Sequence, residues 1–144
     1  MSELERPAAT RPDPVFTPDA VFFWEGAARG ELLGQRCADC HKLVFPPRPM
    51  CPACHSVKRE VVRLSGRGEV YSWIMPRHPP PVGFADAPIV ALIELEEGTR
   101  FVSNLVDIGF SEVRAGLPVE VTFVPTRGGK AVPVFRPRRG RARD

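Results

Sequence analysis

Four cysteines carry the clearest chemistry in this sequence, and they are spaced as Cys37-x2-Cys40-x10-Cys51-x2-Cys54. Two residues between the members of a pair allow one tight turn to direct both sulfur atoms at a single point. The longer spacer lets the second pair approach that point from the opposite side. Zinc prefers four tetrahedral ligands, and thiolates suit it well. The spacing therefore predicts a zinc ribbon, with a rubredoxin-type iron centre as the alternative, because iron uses the same geometry.

Four thiolates close the coordination shell and leave no position for water or substrate, so we predict a structural metal ion rather than a catalytic one. Such an ion folds a segment that is too small to hold itself together. His41 and His55 each follow the second cysteine of a pair. Since four cysteines already suffice, we expect both histidines to be bystanders.

The remaining residues do not form a recognisable catalytic set. Metal binding uses all four cysteines, and the sequence has no Gly-x-Ser-x-Gly, no glycine-rich phosphate loop and no His-Glu-x-x-His. The third histidine, His78, lies in the proline-rich stretch 76–88. We therefore predict no catalytic residue and no enzymatic activity of the chain alone. The alternative is that His78 or a carboxylate is lent to the active site of a partner.

Composition favours strands over helices, because seventeen prolines and twelve glycines leave little room for long helices. One short helix is predicted within residues 17–36. Thr17 is a good N-cap, Pro18 suits the first helical position, and Gly30 suits the end. A lead-in strand follows at 31–36, before the cysteine module at 37–56.

Residues 57–136 contain several strand-like runs separated by glycine-rich or proline-rich turns. The runs cover residues 60–64, 69–75, 89–95, 101–106, 119–124 and 131–135. Short strands of this kind, with no helical pattern between them, predict a mainly β chain that forms an antiparallel sandwich or small barrel.

The C-terminal tail accounts for the net charge of +3, because residues 136–144 hold five arginines and one acid, a net of +4. The body is near neutral, which disfavours a phosphate-backbone footprint. We predict that residues 1–16 and the basic tail 137–144 are disordered. No apolar run approaches the roughly 20 residues that span a bilayer. The polar N-terminus lacks the apolar core of a secretory signal, so we expect a cytoplasmic, reducing location in which thiols bind metal.

The sequence also resembles a family of small bacterial and archaeal proteins in which a rubredoxin-like zinc ribbon precedes an OB-fold. This family is described as acyl-CoA-associated and was first catalogued as a domain of unknown function. The resemblance covers about residues 16–137 and rests on the order and spacing of several segments, which are Phe-Trp-Glu-Gly at 23–26, Gly-Glu-Leu at 30–32, Gln-Arg-Cys-Ala-Asp-Cys at 35–40, Phe-Pro-Pro-Arg at 45–48, Cys-Pro-Ala-Cys at 51–54, Ser-Gly-Arg-Gly-Glu-Val-Tyr-Ser-Trp at 65–73, Pro-Ile-Val-Ala-Leu at 88–92, Glu-Leu-Glu-Glu-Gly at 94–98, and Gly-Leu-Pro-Val at 116–119 leading to Phe123.

The resemblance implies an N-terminal helical segment, a zinc ribbon and a C-terminal OB barrel. It also implies an accessory subunit that binds CoA thioesters beside a thiolase-like, lipid-transfer-type or hydratase enzyme of lipid, steroid or aromatic acyl-CoA metabolism. A single-stranded nucleic-acid binder is the alternative, since both modules serve that role. In that case Tyr71, Trp73 and Phe101 would stack on bases.

A CoA ligand requires arginines beside an aromatic or apolar wall, because it carries phosphates and an adenine. Residues of these types occur in the predicted helix, in the ribbon loop, and in or next to the proline-rich stretch. We therefore predict ligand or partner contacts at Phe22, Trp24, Phe45, Arg48, Trp73, Arg77, His78 and Phe84.

Overall fold

A computed structural model describes residues 11–79, 81–84 and 86–138. It confirms the predicted mainly β fold with one short α-helix. In chain order the elements are a 3-10 turn (Pro18–Ala20), α1 (Val21–Ala28), β1 (Leu33–Cys37), β2 (Leu43–Val44), β3 (Arg59–Arg63), β4 (Arg67–Ile74), β5 (Ile89–Leu95), β6 (Arg100–Leu105), a second 3-10 turn (Phe110–Glu112), β7 (Pro118–Pro125) and β8 (Ala131–Pro137). Within these described ranges, no helix has the length and apolar character needed to cross a membrane.

The ribbon is built on a three-stranded antiparallel sheet of order β2-β1-β3. In the centre of this sheet, Gln35 lies opposite Val44 on one side and Val61 on the other. The sequence predicted that the OB-fold starts at residue 57, which assigned β3 to that fold. In the structure β3 pairs with β1 and lies in the ribbon sheet. Alternation of apolar residues indicates that a strand forms, whereas it does not indicate which strand will be its partner.

The other five strands close into a barrel of order β4-β5-β6-β8-β7. Neighbours are antiparallel except for a short parallel contact of β6 with β8, at Leu105 and Phe135. A bulge between Val70 and Ser72 bends β4, as strands at the corners of small barrels require. This arrangement is a five-stranded OB-like barrel, the second module that the resemblance implied.

Helix α1 packs against both modules through a face of small residues and one aromatic ring. Phe23, Gly26 and Ala27 are buried. A Cβ atom at position 26 would lie 2.6 Å from the side chain of Leu33, so glycine lets the helix approach β1 closely. A helix of this length is not stable alone, and this packing supplies its stability.

An aromatic cluster joins the ribbon, the helix and the barrel in one core. Phe45, in the loop that follows β2, stacks on Phe101 of β6 with ring centroids 4.4 Å apart. Phe23 of α1 lies 5.8 Å from Phe45 and 5.9 Å from Phe101. Phe135 of β8 packs edge-on against Phe101, with ring centroids 5.8 Å apart. The metal-binding module therefore shares its hydrophobic core with the barrel.

Residues 11–16, which we call the N-terminal strap, lie along the barrel. The hydroxyl of Thr126 and the backbone N–H of Gly128 both donate to Oδ1 of Asp13, at 2.5 and 2.9 Å. The Thr126 hydrogen bond is the main reason that the pKa of Asp13 is lowered. The sequence predicted disorder for residues 1–16, whereas the structure gives residues 11–16 these contacts. The rest of that range, and residues 139–144 of the predicted tail, lie outside the described residues.

Replacement of Phe45 tests the shared core. We expect Phe45→Ala to lower the free energy of unfolding of the zinc-loaded protein by about 2 kcal/mol, because it removes a partly buried ring from the cluster. Urea unfolding followed by circular dichroism measures the change. Phe110→Ala, at a ring in the 3-10 turn that is 39% exposed, is the control and should cost about 0.5 kcal/mol or less. Equal effects of the two substitutions would contradict the shared core.

Candidate metal centre and binding grooves

The four cysteine sulfurs converge on one point. All four Sγ atoms lie within 4.8 Å of one another. The Cys37 and Cys54 sulfurs are 3.5 Å apart, and those of Cys40 and Cys51 are 3.7 Å apart. Zinc–sulfur bonds of about 2.3 Å in a tetrahedron place the sulfurs about 3.8 Å apart. The donor set therefore fits a structural Zn²⁺ ion with a closed shell of four thiolates.

Two similar turns present these sulfurs. The backbone N–H of His41 donates to the carbonyl of Cys37 at 3.0 Å, and that of His55 donates to the carbonyl of Cys51 at 2.9 Å. The backbone N–H of Cys40 points at the Cys37 sulfur at 3.4 Å. The pKa of the Cys37 thiol is lowered to about 6, chiefly by this hydrogen bond, which favours the thiolate that binds metal.

His41 and His55 have a structural role that the sequence did not reveal. Both residues have φ of 66°, in the left-handed region that side chains other than glycine adopt rarely and at a cost. The group of possible metal ligands in the described residues consists of the four cysteines and does not include either imidazole. Each histidine therefore closes a turn with its backbone.

A groove of about 820 Å³ lies between the ribbon sheet and the turn that joins β5 to β6, and we call it the ribbon–barrel groove. Its apolar lining is Leu43, Phe45, Val62 and Leu64, and its charged or titratable rim is Arg36, His41, Lys42, Arg63, Glu94, Glu97 and Arg100.

Most cations on the rim of the ribbon–barrel groove form exposed ion pairs. Arg36 pairs with Glu60 at 2.5 Å, and Arg100 lies 3.8 Å from Glu94. Lys42 has no ion-pair partner within the described ranges. Because exposed pairs of this kind contribute little stability, their cations remain available to an anionic ligand.

A second groove, of about 420 Å³, runs beside β6 and β8, and we call it the strap groove because Arg11, Pro12 and Pro14 form one wall. Its other lining is almost entirely apolar or aromatic and comprises Phe23, Trp24, Phe45, Phe84, Phe101, Val102, Ser103, Asn104, Val132, Pro133 and Val134. Phe45 lines both grooves, so the two grooves share this residue.

The structure brings together three of the eight residues predicted to contact a ligand or partner. Trp24, Phe45 and Phe84 all line the strap groove. Trp24 is also stacked on Phe16 of the strap, at 5.8 Å.

The other five lie outside the linings of both grooves. The guanidinium of Arg59 covers Phe22, with its carbon 5.2 Å from the ring centroid. The backbone of Arg48 is held by the side-chain amide of Gln35 through two hydrogen bonds of 2.9 Å. Trp73 packs against the barrel core, and Arg77 and His78 are exposed.

The aromatic residues considered for base stacking do not share an open surface. Phe101 is only 4% exposed, and Trp73 packs against the core. Tyr71 is exposed, but the guanidinium of Arg100 covers its ring at 3.9 Å. Single-stranded nucleic-acid binders use rings that are free to stack on successive bases. This geometry gives no support to the nucleic-acid alternative.

Two family models match the chain. The description "ChsH2, rubredoxin-like zinc ribbon domain" matches residues 24–57, and "ChsH2, C-terminal OB-fold domain" matches residues 61–124. A solved structure described as "Ltp2-ChsH2(DUF35) aldolase" is 42% identical, with a TM-score of 0.81, and the similarity covers 87% of this chain and 98% of that one. The chain belongs to the ChsH2 (DUF35) family.

The curated relatives of this chain have names that indicate different functions. A "Probable enoyl-CoA hydratase alpha subunit" of Thermomonospora curvata is 42% identical over 133 residues, which is 92% of this chain and 42% of that protein. A "DUF35 domain-containing scaffold protein" of Methanocaldococcus jannaschii is 38% identical over 94 residues, 64% of this chain and 67% of that protein. The chain thus spans less than half of the Thermomonospora relative.

Substitution of His41 distinguishes a role of its backbone conformation from a role of its imidazole as a zinc ligand. We expect His41→Gly to keep one zinc per chain and to leave stability equal or raised by up to about 1 kcal/mol, because glycine adopts positive φ without strain. His41→Val should keep the zinc but lose about 1–2 kcal/mol, since a branched side chain is strained there. Metal analysis measures the zinc content of the two variants, and urea unfolding measures their stability. Zinc loss in His41→Gly would show that the imidazole is a ligand.

Proposed function

We propose that the chain is a non-catalytic accessory subunit that binds a CoA thioester and docks onto a thiolase-like or lipid-transfer-type enzyme of acyl-CoA metabolism. The names of its relatives support this proposal at a coarse level. One is called a CoA hydratase subunit, one is called a scaffold protein, and the similar solved structure is named as an aldolase.

The observation that carries the proposal is that Phe45 lines two grooves of different chemistry. A CoA thioester has a polyanionic nucleotide end and an acyl end that is usually apolar. The ribbon–barrel groove offers Arg36, Lys42 and Arg63 to phosphates over an apolar floor. The strap groove offers aromatic and aliphatic walls to the acyl group. Its volume falls within the range of roughly 300–1,000 Å³ that small-molecule sites occupy.

The metal centre indicates which of the two proteins supplies the catalytic groups. The four thiols are engaged by the structural site, so they do not serve as the nucleophile of an acyl transfer. In this proposal the partner enzyme supplies the nucleophile and the acid–base groups, while the accessory chain holds the thioester. The grooves do not support the lending of His78 to the partner, because His78 lines neither of them.

Docking has a suitable surface on the outer face of the barrel. Ile74 on β4 is 62% exposed, and Val102 on β6, at the border of the strap groove, is 64% exposed. Strand register places Val90 beside Ile74 and Leu92 beside Val102, which makes a continuous apolar stripe across three strands. Exposed apolar surface of this kind is typical of protein–protein contacts.

Binding of decanoyl-CoA tests the proposal. We expect measurable binding by titration calorimetry, with Lys42→Met weakening it about tenfold, because a charged hydrogen bond to phosphate is worth roughly 1.5–3 kcal/mol. Lys58→Met is the matched control, since Lys58 is exposed and lines neither groove. The Lys58→Met variant should bind decanoyl-CoA with the same affinity as the unchanged protein. Absence of binding at millimolar decanoyl-CoA would refute the proposal.

A further inference from the structure

Arg11 stands out because its partly buried guanidinium has no carboxylate partner among the described residues. Its Nη1 donates to Oδ1 of Asn104 at 2.6 Å, and its guanidinium carbon lies 4.8 Å from the centre of the Phe84 ring. Burial lowers its pKa, although an arginine remains charged in proteins. A guanidinium has five N–H donors, so one hydrogen bond leaves most of them for another acceptor.

Arg11 lies at one end of an otherwise apolar groove. β6 lines the strap groove from Phe101 to Asn104. Phe45 stacks on Phe101, and Arg11 binds Asn104. At a rise of roughly 3.3 Å per residue, about 10 Å separates these two ends of the groove. A chain that passes Phe45 therefore meets a single positive charge at the far end.

The nearest acid on the strap does not neutralise this charge. Asp13 is two residues from Arg11, but its carboxylate accepts hydrogen bonds from Thr126 and Gly128 in the turn between β7 and β8. The backbone N–H of Arg127 also donates to the carbonyl of Arg11 at 2.7 Å. These bonds anchor both ends of the Arg11–Asp13 segment to one turn, and Arg11 lines the groove beside it. A cation in apolar surroundings gains most from an anionic partner.

We propose that the strap groove selects acyl groups whose far end carries a carboxylate, and that Arg11 binds this carboxylate. A guanidinium binds a carboxylate through two parallel N–H···O bonds, which Asn104 with its single acceptor oxygen does not replace. An acyl group that ends in a methyl group would instead cover the charge without pairing it. This inference rests on the proposed function, because it takes the CoA end of the ligand to lie in the ribbon–barrel groove.

A matched pair of thioesters tests the selectivity. Sebacoyl-CoA and decanoyl-CoA have the same chain length and differ in the terminal carboxylate. By titration calorimetry we expect the unchanged protein to bind sebacoyl-CoA at least tenfold more tightly. Arg11→Met should abolish this preference, because both thioesters then meet an uncharged end of the groove. Arg11→Lys should keep part of the preference, because it keeps the charge without the planar fork.

Arg114→Met is the control for the loss of one positive charge, since Arg114 is exposed and lines neither groove. It should preserve the preference for sebacoyl-CoA. Equal affinities for the two thioesters in the unchanged protein would overturn this inference and leave the proposed function standing. A preference that survives in Arg11→Met would also overturn it. Failure of both thioesters to bind would overturn the inference and the proposed function together.

Discussion

The convergence of four cysteine sulfurs on one metal position is the constraint on which the rest of the molecule depends. The ten residues between Cys40 and Cys51 form a loop that the metal closes, and this loop carries Phe45. Val44 is buried together with Cys37 and Cys51 in a small cluster beside the site. The metal site therefore determines where the next side chain along, Phe45, enters the core of the barrel.

From that position Phe45 affects both stability and the shape of the two grooves. It stacks on Phe101 of β6 and contacts Phe23 of the helix, so the ribbon, the helix and the barrel meet at one ring. The same residue lines both the charged groove and the apolar groove. A structural ion without an open coordination position can in this way organise a binding site that it does not touch.

Much of the fold and of the metal centre could be predicted from the sequence, because the signals are local. Cysteine spacing indicates the tight turns, and alternation in residues 119–124 indicates a half-buried strand. Longer-range features were not predictable. The bond from Thr126 to Asp13 joins residues 113 positions apart, and nothing near Asp13 indicates it. Composition therefore suggested disorder for the strap, and Arg11 was missed. Likewise, the burial of Phe101 depends on rings from other elements.

The most direct test of this account is calorimetric unfolding of the protein before and after removal of zinc, with metal analysis to verify the removal. We predict one cooperative transition for the zinc-loaded form, because ribbon and barrel share a core. In the zinc-depleted form the midpoint should fall by at least about 10 °C, since losing a structural zinc site costs several kcal/mol. An unchanged midpoint and an unchanged single transition would contradict the claim that the metal organises this core.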